Sequence, residues 1–102
     1  MPRTGLEGDA DRVAMDELDA VLGVETRVVA DYVELGLVRP TTGGGRVSLG
    51  VDEVARLSRA LRLARELELH AAAAALLVEL LEERDDLRRR IACLERLAGR
   101  LA

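Results

Sequence analysis

Gly23 and Gly36 each stop a short stretch of helically spaced apolar residues, and this pair of stops constrains the 102-residue chain more than any other feature. Met15, Leu18, Val21 and Leu22 share one helical face ahead of Gly23, with Asp16 or a neighbour available as a cap. Val28, Val29, Tyr32, Val33 and Leu35 form a second pattern, which halts at Gly36, where left-handed backbone ends a helix. Two short helices joined at a glycine read as a helix-turn-helix.

Beyond Pro40 the chain passes through a turn-rich segment into two longer helical patterns. Arg39, Pro40, Thr41 and Thr42 lead into Gly43, Gly44 and Gly45, after which Val47 and Leu49 alternate with polar residues, as in a small hairpin or wing. Val51, Val54, Leu57, Leu61 and Ala64 then describe a third helix ending near residues 67–69. Arg56, Arg59, Arg62 and Arg65 occupy its other positions and read as a solvated face, with pairs such as Arg62 and Glu66. From His70 the run AAAAALLVELLEE opens a fourth helix of high intrinsic propensity. Leu77, Arg84, Ile91 and Ala98 recur every seven residues, as do Leu80, Leu87, Leu94 and Leu101, which describes a coiled-coil seam. Asp85 and Asp86 allow a break that would divide this helix in two.

Composition narrows the function classes. Tyr32 is the one aromatic residue, so the core must be Leu, Val and Ala packed between helices. Net charge is −4, and between Met15 and Pro40 Arg27 and Arg39 stand against Asp16, Glu17, Asp19, Glu25, Asp31 and Glu34. A field of that sign opposes phosphate contacts. All fifteen basic residues are arginine. His70 and Cys93 are each the only residue of their type, which leaves no set of soft metal ligands and no internal disulfide. The triple glycine precedes no lysine and opens no phosphate loop, and no base stands beside the paired acids. No apolar run is long enough to span a membrane. The expectation is a cytoplasmic binding module with no cofactor, no small-molecule ligand and no catalytic residues.

The stretch LDAVLGVETRVVADYVELGLVRP, residues 18–40, resembles the MerR-type helix-turn-helix in its Gly23-Val24 turn, Arg27, Tyr32, Gly36-Leu37 and Pro40. The likeness continues through the wing at Gly45 and the acidic start of the third helix at Asp52 and Glu53. Within that superfamily, RALRLARELEL at residues 59–69, followed by a leucine-rich terminal helix, is similar to the chaperone-modulator (CbpM) family. The resemblance implies a mainly α fold: a MerR-like winged helix-turn-helix with a small β-wing and a C-terminal coiled-coil helix. It further implies a module that docks on the J-domain of a DnaJ- or CbpA-type co-chaperone and inhibits it. The alternative is a dimeric MerR-family transcriptional regulator that binds DNA.

Departures from the DNA-binding pattern favour the first reading. Ala30 and Asp31 stand where such regulators carry an arginine and an aromatic, and only Arg46 survives in the wing. Residues 1–13 are expected to be a flexible tail, 14–69 the winged helix-turn-helix and 70–102 a dimerising coiled-coil segment. Glu25, Val28, Asp31, Tyr32 and Glu34 are the expected partner contacts. Arg27, Tyr32, Arg39 and Arg46 would contact DNA in the alternative, with DNA binding expected to be weak. Leu77, Leu80, Leu87, Ile91, Leu94 and Leu101 are the expected homodimer seam.

Overall fold

A computed structural model describes residues 11–101. A short strand, β1 (Arg12–Ala14), leads through a 3-10 turn at Met15–Glu17 into α1 (Leu18–Leu22) and α2 (Thr26–Glu34). The wing strands β2 (Thr41–Gly43) and β3 (Arg46–Gly50) come next, then α3 (Val51–Leu67) and α4 (Ala71–Leu101).

Glycine ends both short helices as expected. Gly23 has φ 69° and returns its N–H to Asp19 at 2.8 Å. After α2, Gly36 has φ 81°, its N–H reaches the Val33 carbonyl at 3.0 Å, and the Leu37 N–H reaches Tyr32 at 3.1 Å. This is a Schellman motif, in which the two residues flanking the reversal, here Tyr32 and Leu37, both turn inward. They are 1% and 0% exposed. Among the described residues no side-chain bond from Asp16 or a neighbour caps the 3-10 turn or α1, and Val21, expected on the buried face, is exposed.

The wing is a tight hairpin. Gly43 pairs with Arg46, leaving Gly44 and Gly45 as a two-residue turn with φ 60° and 78°. Positive φ at both positions defines a type I′ turn, whose twist matches that of the strands.

The expected tail over residues 1–13 is corrected at its end. Arg12–Ala14 is a strand, antiparallel to β3 with Val13 opposite the fully buried Leu49, so the sheet order is β1-β3-β2. The Asp11 carbonyl accepts the Val51 N–H at 2.9 Å and ties this strand to the start of α3. Residues 1–10 of the expected tail lie outside the described residues.

One core joins all of this. Leu18, Val29, Tyr32, Leu37, Val38, Leu49, Leu57 and Ala60 are buried together with Ala74, Ala75 and Val78 of α4. The core therefore runs past residue 69, and the first two turns of α4 belong to the winged-helix unit. Alanines at 60, 74 and 75 carry no bulk beyond Cβ, which lets α3 and α4 approach closely. α4 is continuous through Asp85 and Asp86. Arg56 is not on a solvated face: its Nε lies 2.8 Å from Glu82 Oε2, and its Nη1 donates to the Leu37 carbonyl at 2.6 Å. The expected Arg62 to Glu66 pair is not among the ion pairs of the described residues.

Candidate functional site

The exposed face of α2 is set by which residues its buried face consumes. Val29 and Tyr32, three apart, point into the core with Val33 packed behind them. Asp31 and Glu34, also three apart, are left on the outer side beside Leu35, which is 44% exposed. These three residues and Ala71 and Ala72 of α4 line one open groove. Neither carboxylate has an ion-pair partner among the described residues.

Three of the five expected partner contacts, Glu25, Asp31 and Glu34, are exposed. Val28 is half-buried against the core. Tyr32 is corrected: at 1% exposure it is a core residue, because the Schellman reversal directs it inward with Leu37. Burial raises its phenol pKa, and the neighbouring Asp31 charge raises it further. Leu35, expected on the buried face, is instead the apolar member of the outer groove. That was readable, since it is the last residue before the reversal at Gly36.

Tyr32 leaves the alternative, DNA-contacting set for the same reason. Arg27 is exposed but lies 3.6 Å from Glu25, and Arg46 lies 3.8 Å from Asp16. Arg39 is exposed, and its backbone N–H donates to Glu53 at 3.3 Å. Pairs this exposed are weak, yet each sets a carboxylate where a phosphate would approach.

Arg12 is a residue that sequence reasoning missed. Its Nε donates to Ser48 Oγ at 2.7 Å and its Nη2 to the Ser48 carbonyl at 2.9 Å, with a further bond to Thr41 Oγ1. It holds the wing against β1. Nothing in the Gly- and acid-rich segment before it signalled this role.

Of the expected seam, Leu80, Leu87, Ile91, Leu94 and Leu101 are exposed, with Leu94 at 64%, while Leu77 is half-buried. Leu97 broadens the stripe. Among the described residues no cluster of three His, Cys, Asp or Glu is placed to hold a metal, and no helix is long and apolar enough to cross a membrane.

A helix-turn-helix, a glycine-tipped wing and a long C-terminal helix built on the same core define a winged helix-turn-helix protein. The chain belongs to the MerR HTH family of regulatory proteins, whose family model matches residues 13–96. No curated protein matches it.

Proposed function

We propose that this chain is a chaperone-modulator-type binding protein, cytoplasmic and non-enzymatic, that inhibits a DnaJ- or CbpA-type co-chaperone by docking on the basic helix of its J-domain. The supporting observation is the pair of carboxylates, Asp31 and Glu34, that have no ion-pair partner among the described residues and lie beside the exposed Leu35 on α2. Charge complementarity supplies orientation and on-rate, and the apolar member adds affinity. The chain acts as a homodimer through the leucine stripe of α4. DNA binding by Arg27, Arg39 and Arg46 is the second reading, favoured by their exposure on the helix-turn-helix and wing.

Calorimetry with the J-domain encoded in the same genome, at two salt concentrations, tests the proposal. Changing Asp31→Arg and Glu34→Arg together should weaken binding by about tenfold and flatten its salt dependence, with the fold intact. Unchanged affinity moves the contact elsewhere. A tight, sequence-selective DNA footprint that is lost in Arg27→Ala would establish the second reading instead.

A further inference from the structure

We infer that the groove between the end of α1 and the outer side of α3 is a second docking site, which takes a carboxylate-bearing amphipathic helix of another protein. Its floor is Leu22, Val24, Leu61 and Ala64, each half-buried and so left partly in water. Its rim is Arg62 and Arg65, both exposed and three apart on α3, which makes them neighbours on one helix face.

The rim of this groove is cationic, and it lies over an apolar floor. Arg27, Arg46, Arg56, Arg84, Arg89 and Arg90 each have a carboxylate within 4.0 Å. Arg62 and Arg65 have none among the described residues, although Glu66 directly succeeds Arg65 in sequence. Two guanidinium groups with no carboxylate partner among the described residues, over an apolar floor on a chain of net charge −4, are complementary to a helix with paired carboxylates beside an aliphatic stripe. Each guanidinium can take a carboxylate bidentately, a fork that a lysine could not offer.

Other ligand classes fit less well. A phosphate backbone would leave the leucine floor unused, and two cations are few beside the roughly 6–10 phosphate contacts of a duplex-binding protein. A small molecule would need an enclosed pocket with converging polar groups, whereas this groove of about 370 Å³ is open. The site shares no residue with the Asp31 and Glu34 surface, and it stands or falls independently of it.

The test uses the full chain and a fluorescein-labelled synthetic helical peptide that places glutamates one turn apart beside a leucine stripe. Fluorescence anisotropy should show saturable binding, weakened by about tenfold when Arg62→Glu and Arg65→Glu are combined and by a similar factor when glutamine replaces the peptide glutamates. Asp31→Arg with Glu34→Arg should leave it unchanged. Arg62→Gln with Arg65→Gln provides a milder variant in which circular dichroism verifies the fold. The inference is overturned by any of four results: no saturable binding, equal binding of the glutamine peptide, a duplex DNA probe whose binding these arginine variants abolish, or dissociation of the variants from dimer to monomer in sedimentation. The last result would mean that a second copy of the chain covers the groove.

Discussion

Arg56 on α3 and Glu82 on α4 meet at 2.8 Å, while the same guanidinium holds the Leu37 carbonyl at 2.6 Å, so one side chain binds the two long helices and the segment leading into the wing. Arg56→Ala should lower stability by about 1–2 kcal/mol, the range for charge-assisted bonds discounted for partial exposure. Glu82→Gln should cost less, because the Leu37 bond survives. Arg56→Lys should recover only part of the loss, since lysine lacks the fork that spans both acceptors. Urea unfolding of the three variants gives the order.

The wing turn predicts an ordered series. No atom lies within 4 Å of a Cβ built on Gly44 or Gly45, so a substitution there meets only the backbone penalty of positive φ. Gly44→Val should cost about 1–2 kcal/mol, whereas Gly44→Asn should be nearly neutral, because asparagine tolerates the left-handed region. Equal melting temperatures for the two variants would contradict the type I′ assignment.

The stripe on α4 gives the oligomer prediction. Leu87 is 48% exposed and Leu94 is 64% exposed, a continuous apolar surface that water disfavours. Changing Leu87→Glu and Leu94→Glu together should convert dimers to monomers in sedimentation, with loss of helical signal as the unpaired segment frays. A wild-type monomer at roughly tens of micromolar, where weak dimers already form, would refute the seam.

Tyr32 makes alkaline stability readable from one residue. Its phenol pKa is raised by burial first and by Asp31 second, so above the ordinary value of about 10 the unfolded chain ionises while the folded chain stays protonated. The unfolded state then binds fewer protons, and stability falls as pH rises through the folded pKa. The chain has no lysine to titrate in the same window. Tyr32→Phe should therefore flatten the alkaline limb of the unfolding curve, and Asp31→Asn should move the phenolate absorbance midpoint down toward its ordinary value.

Glycine chemistry made most of this fold legible. Gly23, Gly36 and the Gly44-Gly45 pair stop helices and turn a hairpin for local reasons that carry over unchanged into the structure. The burial of Tyr32 was readable too, because a glycine stop at Gly36 makes Tyr32 and Leu37 the inward flanks of the reversal. Strand β1 was not readable: three residues are too few to show alternation, and Val13 becomes a core neighbour only once β3 lies beside it. The ion pair of Arg56 was hidden because Glu82 is remote in sequence, and helix periodicity alone assigns Arg56 to the solvated side. At residue 70 the change of pattern marks a new helix without revealing that Ala74, Ala75 and Val78 complete the preceding core.

The sharing of α4 between core and seam has a mechanical consequence. At about 1.5 Å per residue, the anchored stretch from Ala74 to Glu82, where Arg56 holds the helix, is about 12 Å long, and the part from Glu82 to Leu101 extends about 29 Å beyond it. The helix is thus a lever with a short arm inside the domain and a long arm outside, and a tilt that moves its backbone by about 1 Å across the anchor swings the tip by roughly 2 Å. A partner that shifts α2 or α3 by a fraction of a side chain would be felt as a displacement about twice as large where two copies of the chain would pair.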